Sequence, residues 1–206
     1  TTAVAELTFG LLLDLCRNIG KCDTAARNGG TKAGLIGFEL EGRTMGIVGT
    51  GAIGARVAKI ADAFGMDVIA YSRTPGKVAD VRYVSLEELL TQSDVVSLHV
   101  PLTDETRGMI GAEELALMKE TAVLVNTARG PVVDTKALAD ALNSSRIAGA
   151  AIDVFDKEPP LDADEPLINA KNTVVTPHVA FATDESMIKR AEIEFRNIAE
   201  FIKDKR

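Results

Sequence analysis

Side chains that can bind an anion and transfer a proton follow three predicted strands of this 206-residue chain. His178 follows the last strand, Arg129 comes just after the fifth, and Glu158 comes after the sixth. An arginine that holds an anionic substrate, a histidine that exchanges a proton and a glutamate that orients and charges it form a chemically complete set. His99, the second of only two histidines, ends the fourth strand and is the other acid/base candidate. Taken singly, each residue is more often part of a salt bridge or a solvated loop.

A glycine-rich turn, Gly49-Thr50-Gly51-Ala52-Ile53-Gly54, follows the first predicted strand and opens a predicted helix. This G-x-G-x-x-G pattern in a strand–turn–helix context is typical of dinucleotide binding. Gly49 permits the tight turn, Gly51 lets the backbone approach the pyrophosphate, and Gly54 lets helix and strand pack closely. The free N–H groups and positive end of the helix then receive the phosphates. An ordinary glycine turn is the alternative.

The end of the second predicted strand indicates which dinucleotide is used. NAD-specific sites carry an acid there that grips the ribose 2′-hydroxyl, whereas this chain has Ser72, Arg73 and Thr74. The arginine and the two hydroxyls are suited to a 2′-phosphate, which would then meet no repelling carboxylate. We therefore expect NADP, with NAD as the alternative. An arginine that only faces solvent is the competing interpretation.

Apolar runs rich in Val and Ile alternate with helical patterns along the chain. The predicted strands are 44–49, 67–71, 81–84, 94–100, 122–126, 147–153 and 173–176. The predicted helices are 2–19, 52–64, 86–92, 112–118, 135–143 and 183–203, and Ser85 with Glu88 forms a capping box before the third. Strands that read as continuous hydrophobic runs are buried on both faces. The pattern predicts an α/β fold with a doubly wound parallel sheet of about seven strands in three layers, of the Rossmann type.

The first predicted helix is apolar on two faces. Val4, Leu7, Leu11 and Leu15 form one stripe, and Ala5, Phe9, Leu12, Cys16 and Ile19 form the other. Such a helix is either deeply packed in its own core or wedged between this domain and another domain or subunit. Periodicity alone favours neither.

Composition excludes several classes of partner. The net charge is −7 and no Lys/Arg cluster stands out, so neither nucleic acid nor an anionic membrane is expected to bind. The longest apolar stretch is too short to span a bilayer. Cys16 and Cys22 lack metal or redox spacing, so we expect no metal site, reduced thiols and a cytoplasmic protein.

Six segments, taken in order, resemble one known family. They are residues 4–6, 49–54, 99–102, 126–130, 153–160 and 176–178. Over nearly its whole length the chain resembles the D-isomer-specific 2-hydroxyacid dehydrogenases. The resemblance implies an oxidoreductase that transfers a hydride between a nicotinamide dinucleotide and a small D-2-hydroxy or 2-oxo acid.

The resemblance also implies roles for matching residues. Arg129 would bind the substrate carboxylate and carbonyl, His178 would be the acid/base, and Glu158 would be its partner. His99 would then be structural or line the adenosine side.

Cofactor contacts are expected along the carboxyl edge of the sheet. The resemblance implies that Ala52 and Ile53 contact the pyrophosphate and that Val100 lines the adenosine side. It also implies that Thr127 and Ala128 border the nicotinamide ribose and that Asp153 fixes the carboxamide. The full expected set is Gly49, Gly51, Ala52, Ile53, Gly54, Ser72, Arg73, Thr74, Val100, Pro101, Thr127, Ala128, Asp153, His178 and Ala180.

The resemblance predicts one domain. Residues 1–206 would be the NAD(P)-binding domain, with 1–20 and 183–206 as crossover helices to a substrate domain outside this chain. The isolated chain would then bind cofactor without turnover, and the enzyme would be a homodimer. Two alternatives remain: a dinucleotide-sensing corepressor of the same fold, and a related dehydrogenase that acts on formate or phosphite.

Overall fold

A computed structural model describes residues 1–76, 78–79 and 81–203. In this part of the chain a seven-stranded sheet has the order β3-β2-β1-β4-β5-β6-β7, and every neighbouring pair is parallel. The strands are β1 Thr44–Val48, β2 Asp67–Tyr71, β3 Arg82–Tyr83, β4 Val95–Leu98, β5 Val123–Asn126, β6 Gly149–Ile152 and β7 Thr173–Val175. The helices are α1 Thr2–Arg17, α2 Ile19–Arg27, α3 Ala52–Ala63, α4 Leu86–Gln92, α5 Ala112–Leu117, α6 Thr135–Asn143 and α7 Asp184–Lys203. The predicted doubly wound parallel fold is confirmed.

Helices cover both faces of the sheet and bury its central strands. On one face the apolar side chains of α4, α5 and α6 pack on the sheet, with Leu89, Leu115 and Leu138 fully buried. On the other face α1 and α3 pack on it through residues such as Leu12 and Val57. Because β4, β5 and β6 are buried on both sides, their sequences are continuous apolar runs rather than alternating ones. The result is the predicted three-layer arrangement.

The sheet extends in both directions from β1, with β2 and β3 on one side and β4 to β7 on the other. The strand order therefore reverses between β1 and β4. At such a switch point the loops after adjacent strands diverge and leave a crevice at the carboxyl edge of the sheet. The glycine-rich turn follows β1 and therefore lies at this crevice. The loops after β5, β6 and β7 continue along the same edge.

The first helix was predicted to continue to Ile19, but it ends before that residue. Helix α1 ends at Arg17, and Asn18 adopts a left-handed conformation with φ of 54°. A second helix, α2, then starts at Ile19, and the Asp14 carboxylate accepts a hydrogen bond from the Gly20 N–H at 2.7 Å. Asparagine tolerates this conformation better than most residues, so it is a natural breakpoint. Neither the break nor α2 was predicted from the sequence.

Helix α1 belongs to the core of the domain. Ala5, Phe9, Leu12 and Cys16 are buried on the sheet and against α3, which confirms the packed interpretation for these four residues. Ile19, the last member of that stripe, is exposed and lies in α2, so its place in the stripe was predicted wrongly. Within the other stripe, Leu11 is also buried, whereas Val4, Leu7 and Leu15 are only half-buried.

Helix α7 differs from the other long helices because none of its residues is buried. It exposes large apolar side chains at Met187, Ile188, Phe195, Ile198 and Ile202. The predicted crossover segment 183–206 corresponds to this helix, although residues 204–206 lie outside the described residues. No helix in the described ranges is long and apolar enough to cross a membrane.

Candidate active site

The glycine-rich turn has the geometry that a pyrophosphate needs. Gly49 has a φ of 98°, a conformation that side chains disfavour, and a Cβ there would lie 2.7 Å from the His99 carbonyl oxygen. A Cβ on Gly54 would collide with the Gly49 carbonyl oxygen. A Cβ on Gly51, in contrast, would meet no atom within 4 Å. Gly51 therefore keeps open the space in front of the α3 N-terminus, and this cradle fits a dinucleotide phosphate.

A cleft of about 430 Å³ lies beside this turn. Its walls come from the turn after β1, the end of β2 and the loop after β4. It brings together seven residues that the sequence analysis assigned to the cofactor, namely Gly49, Gly51, Ser72, Arg73, Thr74, Val100 and Pro101. Ala52, Ile53 and Gly54 lie next to it in the first turn of α3. The size and position of the cleft suit the adenosine half of a dinucleotide.

The same cleft contains a carboxylate that the sequence analysis did not place there. Glu105, in the loop after β4, accepts a hydrogen bond from Arg73 at 3.1 Å between Nη1 and Oε2. The expectation that a 2′-phosphate would meet no carboxylate was therefore wrong. The acid is 32 residues beyond Arg73 in the chain, so a search of the β2 terminus could not find it.

Arg129 is held at the end of β5 by a buried asparagine. The Asn126 side chain donates to the Arg129 carbonyl oxygen and accepts from the Ala128 N–H, both at 3.0 Å. Next to it, the hydroxyls of Thr127 and Thr8 are 3.0 Å apart, which ties this loop to α1. The Arg129 side chain is exposed at the carboxyl edge of the sheet. A cation fixed at its backbone in this way suits an anionic ligand.

His178 and Glu158 are in direct contact. The distance between His178 Nδ1 and Glu158 Oε1 is 2.6 Å. The Glu158 side chain is 17% exposed and that of His178 is 36%, so the carboxylate is shielded while the imidazole stays accessible. The second oxygen, Oε2, is buried and has no hydrogen-bond partner among the described residues. Because Nδ1 faces the carboxylate, Nε2 is the ring nitrogen available for proton transfer.

A buried aspartate holds the turn that carries His178. Asp153 Oδ1 accepts hydrogen bonds from the Thr176 hydroxyl at 2.5 Å and the Val179 N–H at 2.9 Å, and Oδ2 accepts from the Ala180 N–H at 2.9 Å. The Asp153 carbonyl oxygen also accepts from the His178 N–H at 2.8 Å. These bonds hold His178 in a left-handed conformation, with φ of 54°. Asp153 thus fixes the backbone from which the imidazole projects.

The other histidine has different surroundings. His99 Nε2 is 2.8 Å from the buried Ser97 hydroxyl. Burial lowers the pKa of His99 from 6.5 to about 4, so the ring is neutral near pH 7. A neutral ring bonded to a buried serine is poorly placed to donate a proton. The described residues contain no cluster of three or more His, Cys, Asp or Glu that could hold a metal ion.

Comparison with known proteins assigns the family. The sequence profile described as "D-isomer specific 2-hydroxyacid dehydrogenase, NAD binding domain" matches residues 9–180. The chain belongs to the D-isomer-specific 2-hydroxyacid dehydrogenases.

Individual relatives agree with this assignment. A glyoxylate reductase of Aeropyrum pernix is 45% identical, over 100% of this chain and 64% of that protein. A D-lactate dehydrogenase of Aquifex aeolicus, solved with NAD and lactic acid, is 35% identical to this chain, with a TM-score of 0.90. An acyclic imino acid reductase, solved with NADPH and D-arginine, is also 35% identical, with a TM-score of 0.90. Both matches cover 98% of this chain. They cover 66% of the D-lactate dehydrogenase chain and 65% of the imino acid reductase chain. The chain thus spans less than two thirds of the length of these relatives.

Several residues around the site were missed as functional candidates. Asn126 was detectable, because a polar residue that ends a buried strand needs hydrogen-bond partners. The Tyr83 hydroxyl lies 3.2 Å from Thr50 Oγ1 and so supports the glycine-rich turn from β3. Phe181 packs edge-on against the His178 ring, with centroids 5.7 Å apart. The contacts of Tyr83 and Phe181 depend on tertiary placement, and no sequence pattern indicated them.

We predict that Gly51→Val abolishes dinucleotide binding while the domain stays folded. The added side chain enters open space in the free protein and occupies the position of the pyrophosphate in the complex. The matched variant Gly54→Val should instead lower the melting temperature, because its Cβ meets backbone. Calorimetric titration with cofactor and thermal unfolding measure both effects, and unchanged affinity in Gly51→Val would contradict the assignment of this turn.

We predict that His99 makes stability depend on pH between 6.5 and about 4. In this window His99 is protonated in the unfolded chain but not in the folded chain, so the free energy of unfolding decreases as pH falls. Above pH 6.5 this contribution is absent. His99→Asn should therefore flatten the pH dependence of the free energy of unfolding, measured with denaturant in parallel with wild type. Identical slopes in the two proteins would show that His99 titrates normally.

Proposed function

We propose that the complete gene product transfers a hydride between a nicotinamide dinucleotide and a small 2-oxo or D-2-hydroxy acid. The observation that carries this proposal is the 2.6 Å contact between His178 and Glu158, at the sheet edge that also bears Arg129 and the glycine-rich turn. The family assignment and the glyoxylate reductase and D-lactate dehydrogenase relatives support it. When bound, the nicotinamide supplies or accepts the hydride.

In the reducing direction, Arg129 binds the carboxylate and carbonyl oxygen of the 2-oxo acid and orients the carbonyl carbon. Protonated His178 donates from Nε2 to that oxygen as it gains negative charge. Glu158 faces Nδ1 and stabilises the imidazolium by charge and hydrogen bonding. In the oxidising direction the same imidazole, now neutral, accepts the proton of the substrate hydroxyl.

The proposed cofactor contacts follow the carboxyl edge of the sheet. Gly49, Gly51, Ala52, Ile53 and Gly54 receive the pyrophosphate, and Val100 and Pro101 line the adenosine side. Thr127 and Ala128 border the nicotinamide ribose. Asp153 and Ala180 lie next to His178, at the carboxamide end.

We further propose a preference for NADP over NAD. Arg73, Ser72 and Thr74 line the cleft where the adenosine ribose would lie, and no acid occupies the end of β2. The acyclic imino acid reductase solved with NADPH supports use of this cofactor on the same fold. Arginine pairs with a phosphate through charge-assisted hydrogen bonds.

The apolar face of α7 supports a proposal about assembly. We propose that α1 and α7 lead to a substrate-binding domain, that α7 packs on it, and that the enzyme is a cytoplasmic homodimer. A helix with exposed Ile188, Phe195 and Ile202 is more stable when those side chains are covered.

We predict that His178→Ala in the complete gene product lowers turnover about 10²- to 10⁴-fold, roughly 3–5 kcal/mol, with little change in cofactor affinity. Glu158→Gln should lower it less, because the imidazole remains. His99→Ala is the control and should cost much less than His178→Ala. Steady-state kinetics with a panel of 2-oxo acids measure these effects, and a dominant loss in His99→Ala would refute the proton-transfer scheme.

We predict that wild type has a higher kcat/KM with NADPH than with NADH and that Arg73→Ala removes most of this preference. A charge-assisted contact contributes about 1.5–3 kcal/mol, or roughly 10- to 150-fold. The measurement is the ratio of the two kcat/KM values in each protein. Equal use of both cofactors by wild type, or a preference for NADH, would end the NADP proposal.

We predict that amide hydrogen exchange in α7 is slow in the complete gene product and fast in the isolated residues 1–206. Coverage of the apolar face stabilises the helix against local opening. Helix α3, packed in the core of this domain, is the internal control and should exchange alike in both samples. Equal rates in α7 would refute the packing proposal.

A further inference from the structure

The ion pair between Arg73 and Glu105 lies at the mouth of the adenosine cleft. Arg73 Nη1 and Glu105 Oε2 are 3.1 Å apart, and both residues line the cleft. Their side chains are 80% and 72% exposed, so water surrounds the pair and a competing anion can reach the guanidinium. The residue proposed to bind the 2′-phosphate is thus already paired with a carboxylate of this chain.

Glu105 is presented by a turn with its own hydrogen bonds. The Thr106 hydroxyl accepts from the Thr103 N–H at 2.8 Å and donates to the Pro101 carbonyl oxygen at 2.6 Å. The Arg107 N–H donates to the Thr103 carbonyl oxygen at 2.9 Å. These bonds fix the backbone on both sides of Glu105, so the carboxylate is directed to the cleft by a defined turn.

We propose that Glu105 competes with the 2′-phosphate of NADP for the Arg73 guanidinium, and so sets how strongly the domain prefers NADP to NAD. The inference rests on the cofactor preference proposed above. A phosphate monoester carries a charge of about −1.5 to −2 at pH 7, so it displaces the single charge of Glu105 from Arg73. Displacing Glu105 costs the free energy of the ion pair, and the displaced carboxylate stays in the same cleft. Neither cost applies to NADH, which has no 2′-phosphate.

The test measures dissociation constants of NADPH and NADH with the complete gene product. Glu105→Gln keeps the size of the side chain and removes its charge. An exposed ion pair contributes up to about fivefold in an equilibrium constant, ~1 kcal/mol, so NADPH should bind roughly two- to fivefold more tightly to this variant. The gain should shrink as salt rises. NADH affinity should stay unchanged, which also shows that the variant is folded.

Two further variants identify the cause. Asp104→Asn is the matched control. It also removes one negative charge, but the Asp104 side chain does not line the cleft, although it is adjacent to Glu105 in the chain. It should leave NADPH affinity near wild type. In an Arg73→Ala background, Glu105→Gln should strengthen NADPH binding less than in wild type, because no guanidinium remains to be released and only the repulsion between carboxylate and phosphate is relieved.

The outcomes separate this inference from the proposed cofactor preference. If Arg73→Ala weakens NADPH binding but Glu105→Gln has no effect, the competition is overturned and the NADP proposal stands. The competition is also overturned if Glu105→Gln strengthens NADPH binding equally with and without Arg73. The same holds if this variant strengthens NADPH and NADH binding alike. If Arg73→Ala leaves NADPH affinity unchanged, the cofactor proposal fails as well.

Discussion

A fully buried carboxylate must be hydrogen-bonded, and this requirement shapes the sheet edge where the proposed site lies. Leaving the Asp153 charge unpaired in the interior would cost several kcal/mol. The chain meets the requirement by folding the segment after β7 around it, with one hydroxyl and two N–H groups donating to its two oxygens. The same turn holds His178 in a left-handed conformation, which directs its ring to Glu158. The proposed acid/base pair thus depends on a residue that need not transfer any proton itself.

The parallel sheet supplies the second constraint. Because neighbouring strands run in the same direction, the loops after β1, β4, β5, β6 and β7 all emerge at one edge, and residues distant in sequence meet there. The backbone ladder continues past the strands: the Asp153 N–H donates to the Asn126 carbonyl oxygen at 3.0 Å, and the His178 N–H to the Asp153 carbonyl oxygen at 2.8 Å. The loops that carry Arg129, Glu158 and His178 are therefore fixed relative to one another by main-chain bonds as well as by side chains.

Much of this arrangement was predictable from the sequence, since the pattern of buried strands and the glycine spacing reflect local requirements. The strands 67–71 and the helices 86–92 and 135–143 were predicted with the observed bounds, and the contact of His178 with Glu158 was expected. Contacts that depend on tertiary placement were not predictable. Glu105 reaches Arg73 across the cleft, and Asn18 breaks a helix whose apolar pattern continues through it. The Ser85 cap accepts from the Glu88 N–H as predicted, but the Glu88 side chain bonds Arg82 and Gln92.

The proposed hydride transfer is tested most directly by following the hydride and the configuration of the product. The complete gene product would be incubated with hydroxypyruvate and a reduced nicotinamide cofactor deuterated at the transferable C4 position, and the product analysed by mass spectrometry and chiral chromatography. We expect D-glycerate with deuterium at C2, formed by wild type and nearly lost in His178→Ala. Formation of the L isomer, product without deuterium, or full activity in His178→Ala would contradict it.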